Sequence, residues 1–213
     1  SGLADAQGLR RLYGPDSLLA SVPPQENAAR RALKLDPDLA EAHASMGFFH
    51  FDQQQNGPAA LRHLRRSVDL KPSYAQAHHW LGLLLLATGR PEEGLRHLRR
   101  AVDLNPQHVA ANGVLTRAYL ANGQIEKALA QARRRRRMDP SLNAARTTEI
   151  EVLRRLGRLE EAEKVGREAL SKADSTRRLA IRGELALTET AGGDTSRIRK
   201  LLRMESDLPP YGR

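Results

Sequence analysis

The segments LDPDLAEAH, LKPSYAQAH, LNPQHVAAN and MDPSLNAAR align on Pro37, Pro72, Pro106 and Pro140, so one pattern recurs every 34 or 35 residues. A fixed period of this length limits the fold more than any composition does. One copy is too small to bury its own apolar residues, and it becomes stable only when neighbouring copies cover them. The same residue types return at the same places. Met46-Gly47, Ala60, Leu64 and Ser67 follow Pro37. Leu81-Gly82, Gly94, Leu98 and Ala101 follow Pro72. Leu115-Thr116, Ala128, Ala132 and Arg135 follow Pro106, and Glu149-Ile150, Ala162, Gly166 and Ala169 follow Pro140. Small residues at Gly47, Gly82, Ala60, Ala128 and Ala162 let two helices approach closely. Each proline closes the preceding helix, and Gly57, Gly89, Gly123 and Gly157 mark a turn inside each copy.

These residues resemble the tetratricopeptide repeat, in which a bulky-x-x-Leu-Gly-x-x-bulky helix is followed by Ala-x-x-x-bulky-x-x-Ala and a proline. The best copy is YAQAHHWLGLLLLATGRPEEGLRHLRRAVDLNP, and the resemblance spans Asp36–Asp174. It implies an all-α fold, a right-handed superhelical solenoid of antiparallel helix pairs with four clear repeats and degenerate terminal helices. Helices are expected near 39–53, 58–70, 74–88, 91–104, 108–122, 125–138, 142–156 and 159–172. The whole chain reads as one array. A degenerate pair occupies 1–36, repeats occupy 37–71, 72–105, 106–139 and 140–174, divergent capping helices occupy 175–206, and 207–213 is a tail. The extra residue of the first repeat falls around DQQQNGP, where a longer turn is expected.

Several function classes drop out. The leucine run of Trp80–Ala87 is far shorter than the roughly 20 apolar residues of a membrane span and reads as solenoid core. No charged-then-apolar leader opens the chain. It begins with serine, which suggests a piece of a longer protein. Cysteine is absent, which removes thiolate catalysis, disulfides and cysteine-bound zinc; that suits a reducing cytoplasm and is compatible with a periplasm. Phosphate-loop, dinucleotide, zinc-protease and nucleophile-elbow motifs are missing, so no enzyme, no metal and no cofactor are expected. Glu92-Glu93 and Glu160-Glu161 open second helices, where carboxylates oppose the helix dipole.

Histidines recur at the repeat period, His43 with His78 and His63 with His97. That recurrence indicates packing or helix surface rather than a metal cage, which needs three or four converging ligands. His78 and His79 are adjacent and point about 100° apart on a helix. Five consecutive arginines, Arg133–Arg137, cover more than one turn and cannot all face one ligand. Arg135 stands where other copies place a small residue, so either its stem snorkels along the groove or the third repeat is loosened there. Arg133, Arg134, Arg136 and Arg137 form a candidate basic patch at the basic C-terminal end of a chain with net charge +10. No aromatics interleave with them to stack bases, so nucleic acid ranks below a solvated surface and an acidic partner.

In the family that the repeats resemble, the first helix of each pair lines a concave face. By spacing, the inward stripe contains Phe48, Phe51, His79, Leu83, Leu86, Arg117, Leu120, Glu151 and Arg155. Its middle is apolar and its C-terminal end charged. Lysine and asparagine at the positions that grip a peptide's terminal carboxylate in some relatives are absent. The expectation is a non-catalytic scaffold that binds a peptide or partner helix in this groove, unless the chain's own termini fill it. LAEAHASMGFFHF and YAQAHHWLGLLLLATGR also resemble the C-terminal arrays of bacterial multidomain regulators, which implies a docking module of a larger protein. An envelope assembly scaffold and a nucleic-acid-binding solenoid are the alternatives. Terminal helices could also pair two copies into a homodimer.

Overall fold

The computed structural model describes residues 26–52, 55–139 and 143–170. Among these, all regular structure is α-helical: α1 (Glu26–Leu35), α2 (Ala40–Asp52), α3 (Gly57–Leu70), α4 (Ala75–Ala87), α5 (Pro91–Leu104), α6 (Val109–Ala121), α7 (Ile125–Met138), α8 (Asn143–Arg155) and α9 (Leu159–Leu170). The helices expected from the repeats stand at these positions to within a few residues. The sequence ENAARRALKL supplies α1, the second helix of the degenerate first pair. The first helix of that pair, the capping helices of 175–206 and the tail of 207–213 lie outside the described residues. The chain forms an all-α helical repeat solenoid that divides into two compact units, residues 1–123 and 124–213.

In the first unit, α2 packs on α3 and α4 on α5, while α1–α2, α3–α4 and α5–α6 join consecutive pairs; the first helices α2, α4 and α6 also touch in series. The two helix types differ as their patterns require. α5 buries one stripe, Gly94, Leu95, Leu98, Ala101 and Val102, the i, i+1, i+4, i+7, i+8 face of an amphipathic helix. α4 buries Ala77, His78, His79, Leu81–Leu85 and Ala87, nearly its whole circumference, because it has neighbours on several sides. The leucine run is therefore interior.

Close approach centres on glycine. A Cβ at Gly82 would lie 2.7 Å from Leu98 Cγ and 3.0 Å from the Gly94 carbonyl oxygen; one at Gly47 would lie 2.5 Å from Leu64 Cγ. Ala60, Leu64, Leu81, Leu84 and Leu85 form a core cluster with Phe51, Leu61, Val68 and Trp80 packed around it. Ser67 Oγ donates to the Ala40 carbonyl at 2.7 Å, satisfying its buried hydroxyl across the helix pair.

The turns bear out the sequence reading in three repeats and correct it in one. Gly89, Gly123 and Gly157 adopt positive φ values of 73°, 69° and 72°, but Gly57 does not, and in the first repeat Gln55 takes that conformation at φ 48°. The extra residue lies before Gln55, so Gln55 occupies the register of Gly89 and Gly57 becomes the first residue of α3. Asn56 caps α3, its side chain accepting from the Ala59 N–H at 3.1 Å. In the second unit α8 packs against both α7 and α9, and Ile150, Val152, Leu153, Ala128, Leu129 and Ala162 are buried.

Candidate functional site

The recurring histidines are joined in pairs. His43 Nε2 lies 2.9 Å from the Pro37 carbonyl and its Nδ1 lies 3.0 Å from His63 Nδ1. A carbonyl can only accept, so Nε2 of His43 carries the proton, Nδ1 presents a lone pair, and His63 donates from Nδ1. The next repeat copies this geometry, with His78 Nε2 3.2 Å from the Pro72 carbonyl and His78 Nδ1 2.9 Å from His97 Nδ1. In the third copy Asn112 Nδ2 donates to the Pro106 carbonyl at 2.9 Å. These three repeats thus each tie the inter-repeat loop to the first helix through one polar side chain. Burial pushes His63 down to about 4, with help from His43, His50, Arg62 and Arg30; burial, then His78, does the same to His97. These imidazoles are neutral near neutral pH. Among the described residues no three metal-ligating side chains converge on one point.

On the first helices, the inward stripe divides by depth. Phe48 is 1% exposed and stacks on Trp80 at 4.7 Å between ring centroids. His79, Leu83 and Leu120 are buried as well. They form a floor, while Phe51, Leu86 and Arg117 remain half-buried. His79 belongs to a polar relay. The Ala111 N–H donates to His108 Nδ1 at 3.3 Å, so His108 donates from Nε2 to Gln76 Oε1 at 2.8 Å; Gln76 Nε2 in turn stands 3.4 Å from His79 Nδ1. This leaves His79 with its proton on Nε2, a buried donor with no hydrogen-bond partner. Burial, reinforced by His108, pushes its pKa down to about 3. Gln76 and His108 escaped the sequence reading. His108 lies in an inter-repeat loop rather than on the stripe, and only the cap geometry reveals it.

Glu151 and Arg155 belong to the second unit, where they pair with each other at 2.8 Å as i,i+4 neighbours on α8. The arginine run is also there. Glu149, 1% exposed, takes Arg133 Nε at 3.2 Å on one oxygen and Arg136 Nε at 2.7 Å on the other, the latter off the hydrogen-bonding line. Arg133 reaches Glu161 at 2.8 Å as well. Arg135 is buried, Arg134 half-buried and Arg137 exposed. The run is thus divided between an internal clamp and the surface, and its carboxylate hub is a residue that the sequence reading placed only in the repeat register. Glu149 fills the position held by Met46, Leu81 and Leu115 in the other copies.

No helix among the described residues is long and apolar enough to cross a membrane. Two models of the tetratricopeptide repeat match the chain, over residues 50–113 and 85–146. No curated protein matches it. Solved structures do. YrrB, described as a tetratricopeptide protein with an unusual peptide-binding site, is 15% identical with a TM-score of 0.69, covering 86% of this chain and 93% of its own. MamA from Desulfovibrio magneticus is 14% identical with a TM-score of 0.66, covering 79% and 94%. A tetratricopeptide repeat protein from Parabacteroides merdae is 14% identical with a TM-score of 0.65, covering 97% and 81%. Identities this low speak to the fold. With the repeat period and the glycine-mediated helix pairs, the two matching models identify residues 50–146 as tetratricopeptide repeats, and the solved structures share the all-α solenoid fold.

Proposed function

We propose that this array is a non-catalytic docking scaffold that takes an amphipathic helix or extended peptide on the face made by α2, α4 and α6. The observation that carries the reading is the depth profile of that face. Phe48, His79, Leu83 and Leu120 are a packed, preorganised floor, whereas Phe51, Leu86 and Arg117 keep accessible surface. Two apolar side chains beside a guanidinium suit a ligand that carries apolar anchors and an acidic group. Full burial of each apolar anchor contributes roughly 1.5–3 kcal/mol. The peptide-binding site named for YrrB supports a ligand of the same kind here. Glu151 and Arg155 are proposed separately, as a charged contact of the second unit by itself. A role as docking module of a larger bacterial regulator accords with the sequence resemblance. The nucleic-acid alternative is weakened by the hold of Glu149 on Arg133 and Arg136.

The test is selection from a random peptide library, followed by titration of the selected peptides against Leu86→Gln and Arg117→Glu variants. Affinity should fall at least about tenfold, or 1.4 kcal/mol, in each variant, with helicity unchanged by circular dichroism. Equal affinity for both variants and the parent would move the site off this face.

A further inference from the structure

The second helices carry a paired arginine at the repeat period: Arg30-Arg31, Arg65-Arg66, Arg99-Arg100 and Arg133-Arg134. In two copies the first arginine of the pair is locked to a carboxylate 28 residues further on. Arg65 Nη2 donates to Glu93 at 3.2 Å, and Arg133 Nη2 donates to Glu161 at 2.8 Å. Because the first repeat carries one extra residue, the register partner of Arg30 is Ala59, which has no carboxylate to offer. Arg30 turns back instead to Glu26, one turn earlier, at 2.6 Å.

Where the lock is incomplete there is a cleft. It has a volume of about 660 Å³ and is lined by Asn27, Arg30, Arg31, Leu33, Lys34, Met46, His50 and His63. That size falls within the roughly 300–1,000 Å³ of ligand sites and exceeds what one small inorganic ion fills. Among the described residues, none that lines it is acidic. Arg31 and Lys34 are exposed and form no ion pair among the described residues. Leu33 and Met46 add apolar wall that suits the methylene stem of a glutamate. Among the described residues no Phe, Tyr or Trp lines the cleft to stack a nucleobase, so its chemistry favours a protein ligand over a nucleic acid.

We infer that this cleft, between α1, α2 and α3, is a docking site for an acidic segment of a partner protein, whose carboxylate completes the arginine lock that Ala59 leaves open. It lies apart from the Leu86 and Arg117 contacts, so it stands whether or not that face binds peptide. Bidentate geometry makes arginine the better of the two cation types for a carboxylate, and Arg31 and Lys34 supply the surrounding charge.

The experiment is fluorescence anisotropy at low salt with a fluorescein-labelled oligoglutamate peptide, competed with inorganic phosphate and with oligo-dT. Three variants are compared with the parent chain: Arg31→Glu with Lys34→Glu, Arg134→Glu with Arg137→Glu, and Ala59→Glu. The first pair should weaken binding at least tenfold, and the second pair should leave it within twofold. Ala59→Glu is the decisive variant. It retains every cation of the cleft, and glutamate is well accommodated in a first helical turn. By supplying the missing carboxylate from within, it should weaken peptide binding several-fold. Unchanged binding in the Arg31/Lys34 variant or in Ala59→Glu would overturn the assignment. So would competition by phosphate or oligo-dT as strong as that by unlabelled peptide, or no saturable binding at all.

Discussion

Gly82→Ala adds one methyl group at the tightest helix crossing of the second repeat. Its carbon would sit 2.7 Å from Leu98 Cγ, 3.0 Å from Leu98 Cδ2 and 3.0 Å from the Gly94 carbonyl oxygen. Carbon atoms prefer separations of about 3.5–4.0 Å, so the overlap approaches 1 Å. Leu98 is fully buried and has no open space to rotate into. The Gly94 oxygen is backbone, so relief requires α4 and α5 to part. Overpacking of this kind costs about 1–3 kcal/mol, and the greater helix propensity of alanine returns about 1 kcal/mol. Because a backbone oxygen is among the clashing atoms, the cost falls in the upper part of that range, about 2–3 kcal/mol. The expected net loss is about 1–2 kcal/mol, read from the urea midpoint at constant m-value by circular dichroism. Gly57→Ala is the control: its Cβ would meet only Thr88 Cγ2, at 4.0 Å, and it should be neutral or slightly stabilising. Leu98→Ala alone should cost about 2–5 kcal/mol, yet the double variant should lose less than the two single losses combined, by about 1–2 kcal/mol, because each change relieves the other. A Gly82→Ala protein as stable as the parent, or strict additivity with Leu98→Ala, would refute the close-approach account.

Two further predictions follow from buried polar groups. His63 and His97 have folded pKa values near 4, below the ordinary value of 6.5, so the unfolded chain binds more protons between those limits. Stability should be fully present above about pH 7 and fall as the pH drops from 6.5 towards 4; in His63→Gln with His97→Gln, which installs the residue type of Gln131, this part of the curve should flatten. An unaltered slope in thermal melts across that range would count against the histidine pairs as its source. In the second unit, Glu149→Ala takes the buried carboxylate from Arg133 and Arg136, which keep Glu161 and Glu168. It should cost about 2–3 kcal/mol, at or below the low end for broken buried pairs because both arginines are about a third exposed and retain these partners. Glu149→Leu restores the apolar type of Leu81 and Leu115 and should cost less; urea unfolding that ranked the leucine variant below the alanine variant would contradict this.

How far the sequence speaks here depends on the range of each interaction. The proline period and the small residues at Gly82, Ala60 and Ala128 were enough to read the helices, their pairing and the repeat type, because each repeat builds its structure from contacts with itself and its nearest copies. The same locality made the leucine run legible as interior. Register alone also placed Phe48, His79 and Leu83 on one stripe, but it could not assign them depth. A periodic stripe says which way a side chain points, and only packing against the neighbouring helix decides whether solvent still reaches it. Phe48 is covered because Trp80, a repeat away, stacks on it.

Gln55 shows the limit on a local scale, since the extra residue before it moved the left-handed turn position off Gly57. Charges show it on a larger one. From sequence, Arg133–Arg137 is the conspicuous basic run, yet tertiary structure directs Arg133 and Arg136 onto one buried carboxylate. Meanwhile the unremarkable Arg31 and Lys34 border a cleft with no acid among its described lining residues. Composition fixes how many charges a chain has. Which of them are neutralised depends on distances of a few ångströms between residues far apart in sequence, and those distances exist only once the helices have packed.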